Sequence, residues 1–186
     1  MKRILTPPSR SKRSHLPVSN ATPLIYLARL SKLHLLKDIF TQVQIPPEVK
    51  SEAVDRGKTE GYSDAYVIEQ ALNDGWLISY PLTTENTKKS EALAQMTGID
   101  IGESQAIILT KQKNEKLVLI DQSNAREVAR RLELTPRGTI YIILTSIKRN
   151  LITKEDAKQM LATLIEENFY ISAKIYRDTL KTIEKL

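Results

Sequence analysis

The sequence predicts an α/β protein in which a short parallel sheet carries helices on both faces. Strand-like and helix-like segments alternate along the chain, an order that favours a parallel sheet with right-handed crossovers. Residues 117–120 are four consecutive apolar residues, which is typical of a strand buried on both faces. The chain has 186 residues, a length that suits one domain with a sizeable core.

Four strands are predicted, and each is followed by a turn or a helix start. Asn20 stands at the strand-to-helix turn after the first strand. Thr22 is expected as the N-cap of the next helix, with Pro23 at the first helical position, where its missing N–H costs nothing. The predicted strands cover residues 16–19, 43–45, 76–80 and 117–120.

The helices are predicted from apolar residues at helical spacing and from residues that start or stop a helix. Ser63 is expected to cap the helix that Gly75 ends, and Gly98 to stop the next one. Asn150 is expected to end a helix over 139–149, although this segment is rich in β-branched residues, and 56–61 is expected to be a polar loop. The predicted helices cover residues 22–32, 47–54, 63–74, 86–96, 102–112, 123–132, 139–149, 153–167 and 172–186, with a further turn at 35–38.

The composition excludes several classes of protein. Hydrophobic residues make up 41% of the chain and charged residues 27%, as in ordinary globular proteins. No stretch approaches the roughly 18 apolar residues that a membrane helix needs, and no apolar signal core follows the basic N-terminus. There is no cysteine and there are only two histidines, which excludes disulfides and thiolate metal sites. We therefore expect a cytoplasmic protein without membrane association.

Positive charge is concentrated at the N-terminus. Residues 1–15 contain five basic residues and no acid, so that the net charge of +6 leaves about +1 for the rest of the chain. A basic arm that touches phosphates is one interpretation, and a flexible solvated extension is the preferred one. We expect three parts: this extension (1–15), an α/β domain (16–152), and C-terminal helices (153–186) that pack on the same domain or form an interface.

Four polar residues fall just after a strand or early in a helix on one predicted edge of the sheet. They are Asn20, Glu52, Glu103 and Asp121. Taken singly, each has an ordinary structural explanation: a turn former, an exposed helix acid, an acid that favours the helix dipole, and a helix cap. Taken together they indicate a site, because parallel α/β sheets bind ligands at the carboxyl ends of their strands.

Clustered carboxylates repel one another unless a cation lies among them. Hard oxygen ligands suit Mg²⁺ or Mn²⁺, and such an ion can orient and activate a water against a phosphodiester. The edge therefore predicts a metal-dependent phosphodiesterase site built without cysteine or histidine. Arg126, close after Asp121, is the basic residue expected nearest a bound phosphate.

The chain resembles the PIN-domain superfamily, in particular a little-characterised prokaryotic branch of it. The resemblance rests on four motifs in order, running from about residue 16 to residue 152. They are Val18-Ser-Asn-Ala-Thr-Pro-Leu-Ile25, Ile45-Pro-Pro-Glu-Val-Lys-Ser-Glu52, Gly102-Glu103 with Ala106-Ile107, and Leu119-Ile-Asp-Gln-Ser-Asn-Ala-Arg126.

The resemblance implies a three-layer α/β/α fold and a metal-dependent nuclease. Many members of the superfamily are ribonucleases, and some are toxins of toxin–antitoxin pairs, so an endoribonuclease is expected. It implies that Asn20, Glu52, Glu103 and Asp121 act in catalysis and hold Mg²⁺ or Mn²⁺. Thr22 matches a hydroxyl that helps to hold the first ligand's turn, and Thr22 and Arg126 are the expected substrate contacts. The implied partners are single-stranded RNA, a protein antitoxin and a second copy of the chain.

Asn20 departs from the family pattern, which has an aspartate at this position. Asparagine keeps one neutral oxygen donor but loses the charge, and its amide nitrogen cannot bind a cation. Metal affinity should fall for that reason. The alternative function is therefore a non-catalytic RNA-binding or adaptor protein with a degenerate site.

Overall fold

A computed structural model describes residues 16–186, and the basic extension expected over 1–15 lies outside the described residues. Within them, five strands form one all-parallel sheet in the order β3-β2-β1-β4-β5. The central strand β1 pairs through Val18 with Gln44 on one side and Val118 on the other. The strands are β1 (Val18–Ser19), β2 (Val43–Ile45), β3 (Leu77–Ser79), β4 (Leu117–Leu119) and β5 (Thr135–Arg137).

Helices connect the strands and cover both faces of the sheet. A π-helical segment (Ser51–Arg56) joins the third helix to the fourth. The helices are α1 (Ala21–Arg29), α2 (His34–Phe40), α3 (Pro47–Lys50), α4 (Gly57–Thr59), α5 (Ser63–Asn73), α6 (Thr84–Thr97), α7 (Ile101–Gln112), α8 (Ser123–Arg131), α9 (Thr139–Lys148), α10 (Lys154–Glu166) and α11 (Ala173–Lys185).

Two buried apolar clusters lie on opposite faces of the sheet. Leu119 belongs to the larger cluster, which collects residues of α1, α2, α5 and α9. Its neighbour Val118 belongs to the smaller cluster, formed mainly by α7 and α8. This alternation buries β4 on both faces, as its apolar run predicts. The three-layer α/β/α architecture is thereby confirmed.

The C-terminal helices pack on the larger cluster. Ala157, Leu161 and Leu164 of α10 and Ile183 of α11 are buried in it. Both helices contact α9. Within residues 16–186, no helix combines the length and apolar character that crossing a membrane requires.

The start of α1 differs from the prediction. Asn20, not Thr22, is the N-cap, and Thr22 is the second residue of the helix. The cause is a long-range bond: the Asn20 N–H donates to the Leu119 carbonyl (3.0 Å), which keeps the backbone extended through residue 20. Similarly, Tyr62 rather than Ser63 is the N-cap of α5.

Several helix limits also differ. The segment 56–61 was expected to be a loop, but Arg56 ends the π-helical segment and α4 continues it to Thr59. α1 ends at Arg29 rather than at residue 32, and Ser31 takes a positive φ of 56°. α9 is confirmed as a helix, but its C-cap is Arg149, with Asn150 next at a φ of 56°. Gly98 is confirmed as a left-handed C-cap.

The strand β5 was missed by the prediction. Its sequence, Thr135-Pro-Arg137, contains a proline and has no apolar run, which argues against a central strand. β5 is an edge strand that pairs only with β4, and an edge strand accommodates a proline whose missing N–H would face away from the sheet.

Candidate functional site

Two of the predicted carboxylates lie together. Glu52 belongs to the π-helical segment and Glu103 to the first turn of α7. A Cβ added to Gly102 would lie 3.2 Å from Glu52 Oε2, so the glycine lets this carboxylate approach the start of α7. The Asp100 N–H donates to Glu103 Oε2 (3.1 Å), which fixes the Glu103 side chain over the helix N-terminus. We call Glu52 and Glu103 the acidic pair.

Burial and like charge both act against ionisation of the acidic pair. Burial is the main cause that raises the pKa of Glu103, and the charges of Asp100 and Glu52 raise it further against the opposing hydrogen bond from Asp100. Burial likewise raises the pKa of Glu52; Arg56 opposes this rise, and Asp100 and Glu48 add to it. An added positive charge would therefore stabilise the ionised pair.

Two buried oxygen atoms at this edge have no hydrogen-bond partner within the described part of the chain. They are Asn20 Oδ1 and Glu103 Oε1. Asn20 is 3% exposed and Glu103 is 5% exposed. Buried acceptors of this kind are normally satisfied, and leaving one unpaired costs about 1–3 kcal/mol. A cation bound at this acidic edge would give both acceptor oxygen atoms a partner.

The amide of Asn20 is oriented by a residue that the prediction did not single out. Asn20 Nδ2 donates to Gln122 Oε1 (3.3 Å), and Gln122 Nε2 donates to Thr22 Oγ1 (3.2 Å). With its nitrogen engaged by Gln122, Asn20 keeps Oδ1 free. The Thr22 hydroxyl thus holds the turn through Gln122 rather than directly.

Asp121 is held in a separate environment. Its Oδ1 accepts from the Thr139 N–H (2.8 Å) and its Oδ2 from the Thr139 hydroxyl (2.7 Å). Burial raises its pKa, while both bonds to Thr139 and the charge of Arg126 oppose the rise. Arg126 Nη1 donates to the Ile120 carbonyl (3.0 Å), and a Cβ on Gly138 would collide with Asp121 Oδ1.

The Asp121 carboxylate is engaged by Thr139 rather than by the acidic pair. Across residues 16–186, no three Asp, Glu, His or Cys side chains form a group that could hold a metal ion. The charge of Glu52 raises the pKa of Glu103, whereas Asp121 is turned toward Thr139. The physical reason is that Thr139 supplies two donors to a carboxylate that would otherwise be buried unpaired. The assignment of Asn20, Glu52, Glu103 and Asp121 as ligands stays a prediction.

Thr139, Gly138 and Gln122 were missed by sequence reasoning. Gln122 follows Asp121 directly, and its amide was an available signal. Thr139 and Gly138 follow β5. Because β5 was not predicted from the sequence, nothing indicated that these two residues lie beside β4 at the site. Gln105 of α7 binds the neighbouring helix α3, because its Oε1 accepts from the Glu48 N–H (3.3 Å).

Replacing Thr139 by valine tests how Asp121 is held. The variant keeps the shape of the buried side chain but removes the hydroxyl that donates to Asp121 Oδ2. We expect the free energy of unfolding at pH 7 to fall by about 1.5–3 kcal/mol, as for the loss of a hydrogen bond to a charged group. Urea denaturation measures it. The matched Thr139→Ser variant keeps the hydroxyl and should lose less; an equal loss in both variants would contradict the role of the hydroxyl.

A recess of about 180 Å³ opens beside Glu52. The residues that line it include Glu52, Arg56, Arg29 and Tyr62. Both arginines are paired with acids: Arg56 with Glu48 (2.9 Å), and Arg29 with Asp64 (3.6 Å). Glu52 is therefore reached from solvent through a recess whose charges are largely compensated.

The fold and its acidic edge together define a class of protein. An all-parallel α/β/α protein whose buried acids lie at the carboxyl ends of its strands has the ligand-binding edge of its fold type. A family model described as a PIN domain matches residues 16–185, which is most of the chain. The chain therefore belongs to the PIN-domain family, a nuclease-type family whose members generally depend on divalent metal. No curated protein is significantly similar to the chain.

Proposed function

We propose that the chain is a divalent-metal-dependent endoribonuclease that cleaves single-stranded RNA at the carboxyl edge of its sheet. The observation that carries the proposal is the acidic pair at the same sheet edge as Asn20, where two buried acceptors, Glu103 Oε1 of the pair and Asn20 Oδ1, have no hydrogen-bond partner among residues 16–186. Membership of a nuclease-type family supports the reaction class. The choice of RNA over DNA rests on the resemblance described above.

The residues present fit a hard divalent cation. Glu52 and Glu103 would supply carboxylate oxygens, and Asn20 would supply the neutral Oδ1. Each Asp121 oxygen accepts one hydrogen bond from Thr139 and has a second lone pair, so Asp121 is proposed as a further ligand. A bound Mg²⁺ or Mn²⁺ would lower the pKa of a water and offset charge on the scissile phosphate.

The residues around the cation would orient the RNA. Arg126 uses Nη1 to bind the Ile120 carbonyl, and a guanidinium has five N–H donors, so the others are available to a phosphate. Thr22 would act indirectly, since its hydroxyl accepts from Gln122, which orients Asn20. The recess would give RNA access to Glu52, which lines it.

Cleavage of unstructured RNA in the presence of Mn²⁺ tests the proposal. We expect the Glu52→Gln variant to lose at least about 100-fold in rate, because it loses one charged ligand of an ion that stabilises the transition state. The matched control is Asp55→Asn, which removes an exposed acid of the same helical segment that pairs with Lys50. Gel analysis of end-labelled RNA gives the rates. Equal rates for wild type and Glu52→Gln would contradict the proposal.

A non-catalytic RNA-binding protein is the second candidate. Two observations favour it: an amide stands at residue 20, and no three acidic side chains within residues 16–186 form a metal-holding group. This candidate requires RNA binding that is independent of metal, and no cleavage by the natural chain. Cleavage by the wild-type protein that disappears with EDTA would exclude it.

The finer expectations stay predictions. They are the choice between Mg²⁺ and Mn²⁺, a cytoplasmic location, inhibition by an antitoxin, and a homodimer. Light scattering on the purified protein would decide the last of these.

A further inference from the structure

Three arginines form a cluster on the flank of the sheet edge, beyond Asp121. Arg126 and Arg130 are one helical turn apart on α8, and Arg137 ends β5, which packs against α8. Burial lowers the pKa of Arg126, the charges of Arg130 and Arg137 lower it further, and Asp121 opposes them. We call Arg126, Arg130 and Arg137 the arginine cluster.

The positive charge of the cluster is not neutralised. Among residues 16–186, neither Arg130 nor Arg137 forms an ion pair, although both are exposed. The nearby Arg131 differs, because it pairs with Glu127 along α8. Asp121 is the acid that acts on Arg126, and both of its oxygens already accept bonds from Thr139. The charges that act on Arg126 are therefore two arginines and one carboxylate.

The cluster adjoins the proposed catalytic edge. A Cβ on Gly138 would lie 3.2 Å from Arg126 Nη1 and would also meet Asp121, so these two side chains border the same point of the backbone. Arg137 precedes this glycine, and its guanidinium lies 5.2 Å from the ring centroid of Tyr141. The arginine planes and the aromatic ring together offer phosphate donors and a stacking surface.

We propose that the arginine cluster binds the phosphodiester backbone of a single-stranded nucleic acid and positions the strand beside Asp121 at the sheet edge. Like charges held together repel one another, and a bound polyanion removes this repulsion. The guanidinium fork matches two phosphate oxygens at once. The use of the bound strand as a substrate rests on the proposed function, whereas the binding itself does not.

Binding is best measured without divalent metal, so that cleavage plays no part. A fluorescein-labelled single-stranded RNA and a DNA of the same sequence are titrated with the full chain in EDTA, and anisotropy is recorded at several salt concentrations. The variants are Arg130→Gln and Arg137→Gln, singly and together. The control is Arg131→Gln, which removes the same charge from the same helix but from a compensated arginine.

We expect each single variant to raise the Kd for RNA about tenfold, and the double variant to reduce the slope of log Kd against log salt by about 1.4, the value for two phosphate contacts. Arg131→Gln should change the Kd less than about twofold. Thermal melting checks that the variants, all at exposed positions, remain folded. Equal weakening of binding for the DNA would assign the cluster to the shared backbone rather than to RNA alone.

Three results would overturn the inference. They are wild-type protein that binds neither oligonucleotide, variants that bind as wild type does, and an equal loss in Arg131→Gln. Binding of a polyglutamate peptide through the same arginines, without RNA binding, would assign the cluster to an acidic protein instead. A protein that binds RNA through the cluster but cleaves none with Mn²⁺ would keep this inference and remove the proposed function.

Discussion

Replacing Glu103 by glutamine is expected to weaken Mn²⁺ binding by about 10–100-fold or more and to reduce RNA cleavage by at least about 100-fold. Losing even an outer partner of a metal ligand costs about 10–100-fold in affinity, and Glu103 is proposed as a direct ligand. Glutamine still accepts the hydrogen bond from Asp100, so the start of α7 should persist. Isothermal titration with MnCl₂ and the RNA assay measure the two effects.

Without metal, the Glu103→Gln variant should be more stable than the wild-type protein at alkaline pH. The folded-state pKa of Glu103 is raised, mainly by burial, so the carboxyl group favours folding while it is protonated. Its contribution is present below the unfolded pKa and is lost as pH rises through the folded value. We therefore expect Glu103→Gln to melt higher than wild type at about pH 8 in EDTA, and the difference to vanish near pH 4.

A surface control separates these effects from a general charge change. Glu91→Gln removes an exposed acid on α6 and should alter neither Mn²⁺ affinity nor the pH dependence of melting. If Glu103→Gln bound Mn²⁺ as wild type does, Glu103 would not be a ligand. If it melted lower than wild type at every pH, burial of its charge would not be what opposes folding.

Replacing Asn20 by aspartate is expected to tighten Mn²⁺ binding about tenfold or more and to increase the rate of cleavage. The change puts a negative charge at an oxygen atom that is already buried and without a hydrogen-bond partner. More ligand charge increases affinity at oxygen-rich sites. Gln122 would retain its contact with residue 20 by turning its amide so that nitrogen donates to the new carboxylate.

The metal-free Asn20→Asp protein should be less stable than wild type near pH 8, because a further charge is buried beside the acidic pair. Asn73→Asp is the matched control, because it makes the same replacement at an exposed position at the end of α5. Cleavage that appears only in Asn20→Asp would identify the natural chain as an inactive relative. Unchanged metal affinity in Asn20→Asp would show that residue 20 lies outside the ion's ligands.

The sequence predicts the central sheet well because local patterns determine it. The apolar run at β4 and the paired prolines after β2 mark those strands without any knowledge of the rest of the fold. The predicted start of α1 was wrong because it is determined by the hydrogen bond from Asn20 to Leu119, two residues far apart in the chain. β5 was missed because its proline, Pro136, is unfavourable in strands generally, and the local sequence does not show that this strand lies at a sheet edge.

The missed strand also explains the main difference at the site. Once β5 pairs with β4, Gly138 and Thr139 stand at the edge beside Asp121, and Thr139 supplies both of its donors. The proximity of Glu52 to Glu103 was predictable, since Glu52 lies on the helical segment that follows β2 and Glu103 in the first turn of α7, both at the carboxyl edge of the sheet. The orientation of the Asp121 side chain depends on the Thr139 hydroxyl group, and no local sequence pattern relates these two residues.

Mn²⁺ soaked into crystals of the protein and located by anomalous scattering tests the central claim most directly. We expect a peak about 2.1–2.2 Å from oxygen atoms of Glu52 and Glu103, with Asn20 Oδ1 in the same coordination shell. The peak should be lost in crystals of Glu103→Gln. A saturating soak that leaves no peak at the acidic pair, or places the ion elsewhere while the protein cleaves RNA, would contradict the account.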